Sequence, residues 1–353
     1  MDDLNKLIAR FGNVTEEYKF YNNEITIRYD IKNHKYLLLE NGELKEVPSV
    51  TQIVHIIDKS NALVPWAVKM MQAKLVRTVN NYSTSIEGWD AYFKQNDLEE
   101  WISQAKSAHK EELDTAADIG HIAHGWIERY IKAVINGDKL SPEFPEHPKA
   151  ASCCMAALDF ISRHNIRWIC TERKVYSRKW GYAGTLDGMC RADSCTDKHC
   201  CPRAFKDRLC LIDWKSSNHL YVEYVLQTAA YQHAWQEENN EKIDDRFIIR
   251  LGKDDGEFEP WHFESECFEL DFYSFIEALN LTRTTKQIDK RIKDMLELVR
   301  QEEKEKNRIE REESLKIKCK GFDRYKGIRK PACNGGNPCK SCTSKYWEMH
   351  NGT

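Results

Sequence analysis

Asp213, Trp214 and Lys215 close an apolar run that contains Leu209, Leu211 and Ile212. In an extended strand, residues two apart share a face, so the Asp213 carboxylate and the Lys215 ammonium point the same way. Just upstream, Gly184-Thr185-Leu186-Asp187-Gly188 puts a second acid on the preceding strand, where a hairpin could bring Asp187 beside Asp213. Two converging carboxylates repel unless a cation lies between them, and an oxygen-rich site suits Mg²⁺ or Mn²⁺. A lysine beside such a pair can orient or deprotonate an attacking water and steady charge developing on a phosphate. Alone, Asp-x-Lys is an ordinary edge-strand ion pair worth little. Here it is joined by Gly120, His124 and Glu128, spaced four apart and close to one face of a helix, and by Gln227 and Tyr231 at the same spacing.

Those residues require a particular scaffold. Apolar positions at helical spacing run from Glu111 to Asn136, with Gly137 as the stop, and a second helix is expected over residues 149–164. Strands are expected at Arg167–Ser177, Gly184–Asp193 and Leu209–Trp214, then a helix from Val222 to Glu237 and a strand from Arg246 to Gly252. Helix, three strands, helix, strand is an α/β core. Ahead of it, Ile25–Tyr29, Lys35–Glu40 and Leu44–Val47 read as strands, with Asn41-Gly42 as a hairpin turn. Pro48-Ser49-Val50-Thr51 opens a helix, capped by Ser49 or Thr51. Leu281 to Ser314 reads as one long, mixed-charge helix. The expected organisation is an N-terminal β-hairpin and helical region (1–110), the core (111–280) with a Cys-rich insertion at 194–208, and a charged helix with a basic tail (281–353).

The ordered set G-x-x-x-H, G-x-x-D, D-x-K and Q-x-x-x-Y resembles the RecB-like branch of the PD-(D/E)xK nuclease superfamily over about residues 111–252. Pro48-Ser49-Val50-Thr51, Asp58-Lys59-Ser60, Leu63 to Ala67 and Cys210 to Ser217 look like the phage and mitochondrial genome-maintenance exonucleases of that branch. The resemblance implies the restriction-endonuclease-like α-β-β-β-α-β core. It makes Asp187 and Asp213 metal-binding acids, His124 a further metal ligand and the Trp214 carbonyl a backbone ligand. Lys215 would act on the nucleophilic water, and Gln227 and Tyr231 would shape the site and touch the DNA backbone. Each assignment has a plainer counterpart. His124 could be a hydrogen-bonded core histidine, Glu128 a surface acid rather than one that orients the imidazole, and Tyr231 core packing. Glu172 either adds a carboxylate or pairs across strands with Arg173 or Lys174.

Thirteen cysteines are unevenly placed: none precedes Cys153, and five lie between Cys190 and Cys210. Cys319, Cys333, Cys339 and Cys342 flank a Gly/Pro-rich loop that can bend into a tetrahedral cage. Structural zinc is expected there. A 4Fe–4S cluster competes, although the related iron–sulfur nucleases use one cysteine ahead of the core and this chain has none. Cys195, His199 or Cys200, Cys201 and Cys210 could make a second zinc site pinning the insertion. From Ser314 on, nine Lys/Arg face two Asp/Glu, while the whole chain carries −3. With Phe322, Tyr325, Tyr346 and Trp347 interleaved, that tail suits unpaired bases and phosphates.

With 41% hydrophobic and 31% charged residues the chain is not expected to be a disordered, fibrous or membrane protein. Its start shows no basic-then-apolar leader, so it is expected to be intracellular. The expected function is a Mg²⁺- or Mn²⁺-dependent DNA exonuclease acting on free, single-stranded ends in replication, recombination or repair, with DNA and a replication or recombination protein as partners. A CRISPR-adaptation type iron–sulfur nuclease and a catalytically silent nucleic-acid-binding module are the alternatives.

Overall fold

Tight turns with left-handed residues build the first part of the chain. The computed structural model describes residues 15–57, 60–85 and 95–325. β1 (Thr15–Phe20), β2 (Ile25–Asp30), β3 (Lys35–Glu40) and β4 (Glu43–Val47) form an antiparallel meander in that order. Between β3 and β4, Asn41 (φ 52) and Gly42 (φ 81) supply the two positive φ angles that a twisted two-residue hairpin needs. β1 is an addition to the expected strands. Its sequence TEEYKF buries only Phe20, so an exposed, charged edge strand leaves little apolar alternation to read.

α1 (Val50–Val54) starts on a reciprocal cap. The Gln52 N–H donates to the Ser49 hydroxyl at 3.1 Å, and the Ser49 N–H donates to Gln52 Oε1 at 3.2 Å. Ser49 is thus the cap rather than Thr51. α2 (Ser60–Ser85), α3 (Gln95–Lys106), α4 (Ala108–Asn136) and α5 (Pro148–Arg163) follow. α4 ends at Gly137, whose φ of 75 places it in the left-handed cap position.

The second sheet holds β5 (Arg167–Ser177), β6 (Tyr182–Ala192), β7 (Arg208–Lys215), β8 (Asp245–Leu251) and β9 (Phe258–Glu264), ordered β5-β6-β7-β8-β9. All neighbours are antiparallel except β7 and β8, which run parallel and are joined through α6 (Val222–Asn239). The fold is mixed α/β, and α5-β5-β6-β7-α6-β8 has the expected order. β7 is central, with six of its eight residues buried, so its apolar run needs no alternation. One sheet face packs Leu186, Leu211 and Ile248 with α6; the other packs Ile212, Trp214 and Phe247 with α4 and α5.

β9 was not expected, because Pro260 within it argues against a strand. It sits at the sheet edge, where a missing N–H is tolerated. The last helix, α7 (Phe268–Tyr325), starts earlier than its charge pattern suggests, since Phe275, Ile276 and Leu279 are buried in the core. The chain divides into two compact units, Met1–Thr282 and Arg283–Thr353. Among the described residues, no helix is long and apolar enough to cross a membrane.

Gly184 on β6 leaves room for its neighbours rather than for a turn. A methyl group there would run into the Tyr231 ring and lie 3.2 Å from Val50 Cγ2. Gly184→Ala should therefore destabilise the fold by about 1–3 kcal/mol through overpacking. A urea midpoint equal to that of the unaltered chain would show that the Tyr231 ring yields at no cost.

Candidate active site and metal centre

Strand register brings the acids together. Gly188 pairs with Ile212 at the last step of the β6–β7 ladder, and Asp187 just beyond it reaches the end of β7, where its carboxylate accepts the Trp214 N–H. On β5, Thr171 pairs with Gly188 and Arg173 with Leu186, which leaves Glu172 across from Asp187. Glu172 and Asp213 both lie close enough to Asp187 to feel its charge, so three acids gather at this end of the sheet. Glu172 holds φ at 50, the left-handed region that a non-glycine residue enters at a cost of about 1–3 kcal/mol. The Thr171 hydroxyl donates to the Asp187 carbonyl at 2.8 Å and ties the same step of the two strands together.

Asp213 is fully buried, and the Lys215 ammonium stands 2.6 Å from its Oδ2 as an ion pair. Lys215 also lies over the Tyr224 ring, 4.7 Å from its centre, a cation–π contact absent from the expected residues. Asp187 accepts the Trp214 N–H at 2.9 Å and has His124 Nδ1 3.7 Å away. His124 also lies beside the Trp214 backbone and feels the Asp213 charge, so the imidazole sits near both carboxylates.

Why α4 can deliver His124 is visible one turn earlier. A side chain at Gly120 would come within 2.7 Å of the Ser216 hydroxyl, so glycine lets the helix ride close to the end of β7. His121 is exposed, as its offset from His124 implies. Glu128 pairs with Lys132 at 2.5 Å instead of holding the His124 ring. Its charge is nevertheless felt at Glu172. Gln227 donates to the Tyr231 hydroxyl at 2.8 Å, and Tyr231 is buried against Gly184, so its role is packing as well as shaping the site.

Electrostatics follow from this crowding. Burial, then the Asp187 charge, pushes Glu172 up to about 7. Burial also raises Asp213 to about 6 against the lowering pull of Lys215, with Asp187 adding to the rise. Asp187 is raised by burial too, while Lys215 and the Trp214 N–H pull it down. Burial and then the Lys215 charge bring His124 down to about 4, so its ring is neutral at pH 7 and free to ligate. Burial works to lower Lys215, but Asp213 and Asp187 outweigh it and hold the side chain as an ammonium. Clustered buried carboxylates and a neutral imidazole suit a hard divalent cation such as Mg²⁺ or Mn²⁺.

The cysteines sort differently from the expected second site. Cys195, Cys200 and Cys201 gather, but Cys210 stands apart on β7 opposite Cys190, its thiol donating to the Arg208 carbonyl at 3.4 Å. His199 is exposed, its N–H held by the Asp197 side chain. The fourth place belongs to His164, which follows α5 directly. The four donor atoms lie within 4.8 Å of one another, a group able to bind a metal ion. Burial contributes to raising Cys200, after its bond to Cys201; that same bond, ahead of His164, brings Cys201 down to about 4. His164 was invisible in the sequence because it lies 36 residues from Cys200, outside any short motif. The expected tail site depends on Cys333, Cys339 and Cys342, which lie outside the described residues.

No family model and no curated protein matches the chain.

Glu172 gives a signed pH prediction. Its folded value lies above its ordinary 4.5, so the folded state holds the proton better and stability is lost as pH rises from about 4.5 through about 7. Without divalent ions, Glu172→Gln should gain on the unaltered chain across that window, by up to about 3 kcal/mol. Thermal melts of both proteins from pH 4.5 to 8 check this; a constant difference would mean Glu172 is solvated.

Proposed function

We propose that the chain is a metal-dependent DNA exonuclease of the RecB-like PD-(D/E)xK branch, hydrolysing phosphodiester bonds from free, single-stranded ends. The observation that carries it is Asp213: a fully buried carboxylate paired with the Lys215 ammonium at 2.6 Å, with Asp187 and His124 close enough to act on it. A silent binding module has no use for such a costly arrangement, because the desolvation of a buried ion pair with further acids beside it is only partly repaid by its attraction.

Asp187, Asp213, His124 and the Trp214 carbonyl would hold Mg²⁺ or Mn²⁺, with Glu172 available as a further carboxylate. When bound, such an ion neutralises phosphate charge and makes water a stronger nucleophile near neutral pH. Lys215, an ammonium in this setting, donates to the attacking water or the phosphate and steadies the charge that builds there. Tyr224 under its ammonium limits where that side chain can swing. Glu172, up at about 7, can accept a proton near neutral pH.

The N-terminal sheet supplies a wall for the substrate. Tyr36 on β3 bonds Thr185 at 2.6 Å, two residues before Asp187. Lys174, two residues past Glu172, lies 4.7 Å from the centre of the Tyr29 ring and 5.7 Å from that of Tyr18. Aromatic rings alternating with a cation beside an acidic cluster favour a strand with unstacked bases and a phosphate backbone.

End-labelled single-stranded, double-stranded and circular DNA, incubated with Mg²⁺ or Mn²⁺, separate the possibilities. Linear single strands should be shortened and circles spared. Asp213→Asn and Lys215→Ala should each cut at least about 100-fold more slowly while still retaining DNA on a filter. His124→Ala should need about tenfold more metal for half-maximal rate. Undiminished cleavage by either of the first two variants would remove this mechanism.

A further inference from the structure

We propose that His164, Cys195, Cys200 and Cys201 bind a single zinc ion that staples the β6–β7 connection to the C-terminal end of α5. It stands apart from the nuclease proposal, since the two sites share no residue.

The distances among His164, Cys200 and Cys201 match three edges of one tetrahedral ion, and Cys195 lies within reach as the fourth donor. Zinc–sulfur bonds of about 2.3 Å and zinc–nitrogen bonds of about 2.0 Å set sulfur–sulfur edges of about 3.8 Å and nitrogen–sulfur edges of about 3.5 Å. Cys200 and Cys201 Sγ are 3.9 Å apart, and His164 Nε2 lies 3.3 and 3.4 Å from them. A sulfur separation of 3.9 Å is far beyond the roughly 2.05 Å of a disulfide.

The histidine is already set for ligation. Its Nδ1 lies 2.8 Å from the Phe160 carbonyl, which can only accept, so the proton is on Nδ1 and the Nε2 lone pair faces the thiols. Phe160 stacks on the ring at 4.0 Å, and His164 is fully buried. Zinc binding would displace the protons of the thiols that carry them to solvent, leaving a Cys₃His centre of net charge −1. A four-iron cube is disfavoured because it draws on thiolates placed around the cube, whereas three thiolates and an imidazole here close on a point.

The connection itself explains the need. Ser194 and Phe205 close the base of the loop, the Ser194 N–H donating to the Phe205 carbonyl at 3.0 Å, and the Asp193 N–H donates to the His164 carbonyl at 2.8 Å. The segment between them has few apolar residues to bury apart from its cysteines. A metal cross-link supplies the cohesion that its side chains lack.

The test uses the full chain, expressed with both zinc and iron supplied. Elemental analysis should find one molar equivalent of zinc fewer in Cys200→Ser than in the unaltered chain, with no iron assigned to this site. Peptide-resolved alkylation of the unaltered chain avoids any folding defect of the variant. Cys195, Cys200 and Cys201 should resist labelling until a chelator strips zinc, while exposed Cys267 reacts throughout. Equal zinc in the two proteins, iron at this site, or thiols that label at the same rate with and without chelator would each overturn the proposal.

Discussion

Asp213 sits fully buried at the end of the central strand, and much of the surrounding structure answers that constraint. A carboxylate taken out of water must be neutralised, paired or bound to a cation. Lys215, two residues along the same strand, provides the pairing through the strand period alone. Asp187 across the ladder adds a second negative charge and undoes part of that relief. The site is under electrostatic tension by construction, and the raised values of Asp213 and Glu172 express it.

The elements around this cluster are held by close approaches more than by volume. Gly120 lets α4 meet Ser216, the residue after Lys215, and this brings His124 to within 3.7 Å of Asp187. Gly184 admits Tyr231 from α6 and Val50 from α1, locking the N-terminal cap segment to β6. The Ala183 N–H donates to the Pro48 carbonyl at 3.1 Å in the same place. The Pro48-Ser49-Val50-Thr51 segment therefore serves as a buttress behind the strand that carries Asp187, linking the first sheet to the second.

Much of this was legible in the residues because short-range periodicity determines it. Asp213 and Lys215 share a face by the strand period, and Gly120 and His124 by the helix period. The core strands followed from apolar runs bounded by turns. What escaped depended on long-range pairing. Glu172 was already a candidate carboxylate, but its nearness to Asp187 comes from strand pairing, and its left-handed backbone has no sequence signal. His164 reaches the thiols because the Asp193 N–H binds its carbonyl and α5 ends there. Cys210 looked like a ligand by spacing, yet strand pairing fixes it opposite Cys190. β9 was hidden by Pro260, which an edge strand can accommodate.

The two candidate metal centres also illustrate how one chain can keep different ions apart. Raw affinity for divalent metals rises along a common series, so a site selects through donor type and shape. The strand-end cluster offers oxygens and a single imidazole, hard donors that suit an exchangeable cation with open coordination positions. The β6–β7 connection offers three sulfurs and one imidazole, largely buried and within 4.8 Å of one another. A thiophilic ion in the first site would lack its preferred donors, and a hard ion in the second would trade its water shell for poor ones. β6 and β7 run between the two, so a closed, sulfur-bound ion at one end would fix the strand pair whose other end must hold Asp187 against Asp213 despite their repulsion.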